Sequence, residues 1–306
     1  AELAARGRFS RVPVLLGTLR DEGNAFFYPP WFPSEPASAG AFECLVRANY
    51  GAKASAVLDV YNPVHEAGIN HRFLISQMFT DTVLRCPAHK LSKALAAQGS
   101  APWAYVFNHH PKCLFADWYG FSDVPGAAHG DDIQYVFNNI EWLIENTSSA
   151  SNRPCTPSEQ DLQLADKVSD IWTAFAKHGT AAWPRFELGA EQSLKIGSGT
   201  ITRLETEMGN GRFVCEFWES LGIKNYSSFR YVEGCGWRLG SISPLFAPDG
   251  ESDDGGGKPE LLGVPGDAAA GHAVTSAALL AGILAPVASA AFMARCYCRK
   301  ATVPDG

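Results

Sequence analysis

The chain has 306 residues, 46% of them hydrophobic and 19% charged, with a net charge of −7 and a pI near 5.6. That composition supplies apolar material for one or two packed domains and excludes a disordered chain. It also excludes the basic face that nucleic acid requires, so no nucleic-acid partner is expected. The opening residues, Ala1-Glu2-Leu3-Ala4, carry neither an initiator Met nor a signal-peptide pattern. By Val12-Pro13-Val14-Leu15-Leu16-Gly17 the chain already reads as a buried strand, so residue 1 is read as a cut point in a longer polypeptide.

That first strand ends in the turn Arg20-Asp21-Glu22-Gly23. Residues 41–98 read as mostly helical with polar breaks. Trp103-Ala104-Tyr105-Val106-Phe107 is a second β-rich run, closed by Asn108, His109, His110 and Pro111. The clearest helix covers about 157–177. Thr156-Pro157-Ser158-Glu159 reads as its capping box, Leu164, Val168, Ile171 and Phe175 recur at helical spacing, and Gly179 supplies the stop. Strands alternating with helices give an α/β class, and the folded domain is placed at 1–247.

From 248 to 270 the composition changes: Asp249, Glu251, Asp253, Asp254, Glu260 and Asp267 lie among Gly and Pro. This is read as a disordered acidic linker. Residues 273–294 then carry no charge, and 22 residues at 1.5 Å each reach about 33 Å, enough for a hydrocarbon core of about 30 Å. Arg295, Arg299 and Lys300 follow at once, as the positive-inside rule requires of a cytoplasmic flank. The expectation is a single-pass type I membrane protein: transmembrane helix 273–294 in the lipid bilayer, cytoplasmic tail 295–306, and the folded domain extracellular or lumenal.

Eight cysteines occur: Cys44, Cys86, Cys113, Cys155, Cys215, Cys235, Cys296 and Cys298. None has zinc-ligand spacing, so no metal is expected. Sequons at Asn146 and Asn225 mark candidate glycosylation sites, and with the six upstream cysteines they point to the secretory pathway.

Two motifs carry chemistry. One is the strand-and-turn 12–23, which delivers carboxylates at a strand end. The other is Gly126-Ala127-Ala128-His129-Gly130-Asp131-Asp132-Ile133-Gln134-Tyr135-Val136-Phe137, a glycine-flanked histidine entering an amphipathic stretch. A carboxylate that orients a histidine, and a histidine that takes a nucleophile's proton, form two-thirds of an acyl-transfer triad. Acid before histidine is also the chain order of α/β-hydrolases.

Together these motifs resemble the type-B carboxylesterase and cholinesterase family. There the acid sits in P-V-x-x-G-x-x-x-D-E-G and the histidine in G-x-x-H-G-x-[DE]-[IL]-x-[FY]-V-F. Residues 103–111 resemble the family's strand before the histidine loop. Ile171-Trp172-Thr173-Ala174-Phe175-Ala176-Lys177-His178-Gly179 with Trp183-Pro184-Arg185-Phe186, and Arg212-Phe213-Val214-Cys215-Glu216-Phe217-Trp218, resemble its later helices. The likeness spans roughly residues 10–220, and Asp132 replaces the commoner Glu.

The resemblance implies the C-terminal part of an α/β-hydrolase, with Glu22 as triad acid and His129 as triad base. It implies a disulfide between Cys86 and Cys215, an ester substrate and no cofactor. Cys113 with Cys155, flanking the histidine loop, is the candidate for a second bridge; Cys44 and Cys235 stay unassigned, and the other histidines receive no role. No G-x-S-x-G occurs, and Gly197-Ser198-Gly199 lies on the wrong side of His129 for a nucleophile elbow. In the family the nucleophile and the Gly-rich oxyanion segment lie in the N-terminal half. The expected function is therefore a serine esterase whose nucleophile lies upstream. The alternative is a neuroligin-like adhesion or binding ectodomain, which keeps this scaffold without the nucleophile.

Overall fold

The computed structural model describes residues 1–28, 38–61, 71–113, 124–142, 144–145, 155–197, 200–205, 207–222 and 235, with backbone alone for 200–205 and 207–212. Two compact units divide the chain, Ala1–Gly240 and Ser241–Gly306. The second lies outside the described residues. So do the linker 248–270, the segment 273–294, the tail 295–306, Asn146 and Asn225. Among the described residues no helix is long and apolar enough to cross a membrane.

The first unit is built on a four-stranded sheet in the order β1 (Leu15–Leu19), β2 (Trp103–Asn108), β3 (Ser193–Gly197), β4 (Thr200–Glu205). The first three are parallel, and β4 returns antiparallel to β3 with Gly197 paired to Thr200. Parallel neighbours need a crossover, and both crossovers are helical. Between β1 and β2 run α1's successors: α2 (Asn24–Phe27), α3 (Ala39–Tyr50), α4 (Ala54–Tyr61), α5 (His71–Phe79), a π-helical turn (Thr80–Arg85) and α6 (Cys86–Ala97); α1 itself is Glu2–Ala5. Between β2 and β3 lie α7 (Ile133–Val136) and α8 (Glu159–His178), and α9 (Glu207–Ser220) follows the sheet.

The strand period of two sorts the core. Leu19, Trp103, Phe107, Leu194 and Ile196 meet Leu164, Ala165 and Val168 of α8 on one face. The intervening Ala104 packs with Phe186 and Ala96 on the other. Trp183 crosses to the sheet and donates its indole N–H to Ala104 O at 2.8 Å. Trp103 carries Arg185 over its ring at 4.1 Å.

Boundaries differ from the sequence reading in two places. The first strand begins at Leu15 rather than Val12, because Pro13 has no N–H for the ladder. The long helix is capped by Ser158, not Thr156: its hydroxyl accepts from Asp161 N–H, and the Asp161 carboxylate returns to Ser158 N–H. The stop at Gly179, in the left-handed region at φ 66°, falls where the sequence places it.

Three disulfides join distant segments: Cys44–Cys235, Cys86–Cys215 and Cys113–Cys155. The second ties the start of α6 to α9. Beside it, Tyr61 OH donates to Asp81 at 2.7 Å and accepts from Trp218 Nε1 at 2.8 Å, while Arg85 pairs with Asp81 and donates to Arg20 O. This buried network pins the π-helical turn behind the end of β1.

Candidate active site

The chain leaves β1 at Leu19 and turns within four residues into α2. Glu22 sits in that turn, buried, and its Oε1 accepts the Leu19 N–H at 2.8 Å, so the carboxylate folds back over the strand end. Gly23 permits the turn to press against α5: a Cβ there would lie 2.2 Å from Ser76 O, while its N–H donates to Thr80 Oγ1 at 2.9 Å.

The second half arrives from the loop that follows β2. Val124 to Asp131 passes over the strand ends and delivers His129, whose backbone N–H lies 3.4 Å from Glu22 O. The side chains meet as well. Glu22 Oε2 and His129 Nδ1 are 2.6 Å apart, across a sequence separation of 107. Phe26, whose ring centroid is 5.4 Å from the imidazole, and Phe79 behind it form an apolar wall. The His129 side chain is 18% exposed; Nδ1 is anchored to Glu22, and Nε2 has no hydrogen-bond partner among the described residues.

Burial pulls the imidazole pKa down. The charge and hydrogen bond of Glu22, with Asp132 and Asp131 beyond it, outweigh burial, and the net shift is upward. Burial and the Glu22 charge in turn push Asp132 up to about 6, against the lowering pull of His129 and of a hydrogen bond from Tyr105. The arrangement is a histidine held by a carboxylate through Nδ1, with a second acidic group close behind. Such a unit accepts a proton at Nε2 while the carboxylate offsets the charge it gains. Among the described residues no group of three or more His, Cys, Asp or Glu side chains is placed to hold a metal ion.

The other histidines are not alike. His109 Nε2 lies 2.7 Å from Asp161 and His89 Nε2 lies 2.7 Å from Glu191, both pairs buried. Their partners are 52 and 102 residues away, which no local pattern in the sequence signals. Asp132 was visible only as a substitution in a motif; its bond to Tyr105 was not.

A model of the carboxylesterase family matches residues 1–218. The chain belongs to the carboxylesterase family. It is 28% identical to the fumonisin B1 esterase of Sphingopyxis macrogoltabida, over 64% of this chain and 35% of that protein. It is 28% identical to the para-nitrobenzyl esterase of Bacillus subtilis (strain 168), over 63% of this chain and 36% of that protein. Human neuroligin-2 is 26% identical over 60% of this chain and 22% of its own length. The chain thus spans about a third of the length of each of these two esterases. Its four-stranded sheet with helices on both faces is compatible with the α/β-hydrolase fold of that family.

Proposed function

We propose that this chain supplies the acid and the base of a serine hydrolase acting on carboxylic esters. The observation that carries the reading is the 2.6 Å contact between Glu22 Oε2 and His129 Nδ1, with Nε2 not engaged by any described residue. A serine from residues upstream of this chain attacks the ester carbonyl and gives its proton to Nε2. The alcohol leaves with that proton, and an acyl-enzyme remains. Water then attacks the acyl carbon, again through Nε2, and the acid departs with the serine restored. Glu22 fixes the tautomer that presents a bare Nε2 and offsets the imidazolium charge. Two named esterases among the relatives support the assignment.

The test is hydrolysis of p-nitrophenyl esters by the complete polypeptide, with labelling by a fluorophosphonate probe. Turnover that disappears in His129→Ala is the expected result. A complete polypeptide that neither turns over nor labels supports the second reading, a binding ectodomain, which the likeness to neuroligin-2 favours. This chain alone should leave ester hydrolysis at the background rate, since nucleophile and oxyanion donors lie elsewhere.

Two further parts of the reading concern location. Residues 273–294 anchor the protein in a bilayer with the first unit outside, and Asn146 and Asn225 carry glycans there. Retention in the pellet after carbonate extraction, and a mass loss on glycosidase treatment, are the expected outcomes; a carbonate-soluble protein overturns the anchor.

A further inference from the structure

Asp21 stands one residue before the acid, is 7% exposed, and has no part in the chemistry above. Its carbonyl closes its own turn by accepting the Asn24 N–H at 2.9 Å, but its N–H and its carboxylate reach beyond that turn. The backbone N–H donates to Ala127 O at 3.0 Å, and the side-chain Oδ2 accepts the Ala127 N–H at 3.1 Å, so both polar groups of Ala127 are taken by one residue 106 positions earlier. Gln77 Nε2 donates to the other carboxylate oxygen at 3.1 Å and stops it rotating. A second strap runs parallel: Asn24 Nδ2 donates to Pro125 O at 2.7 Å while Ser76 Oγ holds the Asn24 carbonyl oxygen. Gly126, between the two strapped residues, has φ +75° and would set a Cβ 2.3 Å from Asp21 Oδ2. The loop is therefore shaped to receive this carboxylate.

We infer that Asp21 is a positioning residue, setting the register of the Glu22 turn against the His129 loop by clamping Ala127 through both its amide and its carbonyl. The geometry is direct. Asp21 and Glu22 are adjacent, Ala127 and His129 are two apart, and fixing the first pair leaves the second little freedom. The Glu22–His129 contact at 2.6 Å and the longer backbone contact at 3.4 Å both lie immediately beyond the clamp. This inference rests on Glu22 and His129 being the acid–base unit proposed above.

The test combines two readouts on the complete polypeptide: the His129 imidazole is titrated by NMR, and kcat and KM are measured. Glu22, Asp131 and Asp132 are the anions that face this imidazole and raise it against burial, so a lowered titration reports their displacement. In Asp21→Ala the titration should fall towards that of Glu22→Gln, and kcat should fall about tenfold to a hundredfold, as small misplacements do, with KM nearly unchanged. Asp21→Asn retains an acceptor for the Ala127 N–H and should keep a wild-type titration. Asp21→Ala that lowers Tm but leaves the His129 titration at its wild-type value overturns the inference. So does Asp21→Asn that falls to the Glu22→Gln level, because charge rather than position would then be acting. Should Asp21→Ala not fold, Gln77→Ala carries the test: a partial lowering supports the clamp, and an unmoved titration overturns it. A complete polypeptide without esterase activity, with the NMR results as expected, removes the hydrolase reading and leaves the clamp standing.

Discussion

His129 with Glu22 and His109 with Asp161 are both histidine–carboxylate pairs at the same end of neighbouring parallel strands, with contacts of 2.6 and 2.7 Å. Their surroundings differ. Asp161 accepts from Tyr135 OH at 2.7 Å, Ser158 Oγ at 2.6 Å and Ser158 N–H at 2.9 Å as well as facing His109, and both side chains are buried. His109 Nδ1 is sealed inside, with no partner among the described residues. Glu22 spends one oxygen on its own strand end and the other on His129, whose side chain is 18% exposed. A short histidine–carboxylate bond is therefore no mark of catalysis by itself. What separates the two sites is exposure: the His129 side chain is 18% exposed and that of His109 only 6%.

Exchanging the roles of the two histidines gives the largest expected effects. In the complete polypeptide His129→Ala should lower kcat/KM by about 10⁴–10⁶ with Tm nearly unchanged. His109→Ala should do the opposite, costing about 1–3 kcal/mol in urea unfolding because a buried carboxylate loses one of its partners, while the folded fraction keeps its kcat. Equal activity losses in the two variants would erase the distinction. Next in size is Glu22→Gln, expected to cost about 10²–10⁴ in kcat. Its effect should not add to that of His129→Ala in the double variant, since the two act as one unit.

Acid sharpens the contrast at the structural pair. Burial raises Asp161, but its hydrogen bonds with His109, Ser158 and Tyr135 prevail and hold it well below the usual carboxylate range. Its folded pKa is thus depressed, so its stabilisation is present above the unfolded value near 4 and is lost as pH falls through the folded value. Asp161→Asn should lower stability at pH 7 and should narrow its gap to wild type below about pH 4, as measured by chemical unfolding at both pH values.

The smallest expected effect is at Asp132, where burial and Glu22 raise the pKa to about 6. A raised folded pKa contributes stability below the unfolded value that is lost as pH rises through about 6. Asp132→Asn should therefore gain on the order of 1 kcal/mol relative to wild type at pH 8 and less at pH 4. It should also move the acidic limb of kcat/KM to lower pH, because one anion that raises His129 is gone.

The sequence carries much of this site, for identifiable reasons. Glu22 and His129 stand in glycine-bracketed turns whose residue types are dictated by close backbone approach, and such constraints survive as readable strings. The strands β1 and β2 are legible because strands of a parallel sheet read as largely apolar runs. The strand β3 escapes the sequence reading: Ser193-Leu194-Lys195-Ile196 is short, and Gly197-Ser198-Gly199 beside it draws attention as a string of the wrong order for an elbow. The π-helical turn has no compositional signal, since Thr80–Arg85 is an ordinary helical string whose extra residue per turn comes from packing. The clamp at Asp21 was invisible because a carboxylate in a turn ordinarily bonds locally, and this one reaches a loop more than a hundred residues away.

The three disulfides are nested: 113–155 lies within 86–215, which lies within 44–235. Taken as events in synthesis, that order sets up a competition. Cys86 emerges with Cys44 already 42 residues behind it, and Cys113 emerges with Cys86 only 27 behind, before any native partner exists. Short loops close at less entropic cost than long ones, so the first accessible partner of both newcomers is a non-native one. At roughly 5–20 residues per second the outermost thiol waits on the order of 10–40 s for its partner across a separation of 191. The native pattern requires early thiols to bypass nearer partners, so oxidative folding of this unit should pass through scrambled isomers that thiol–disulfide exchange resolves.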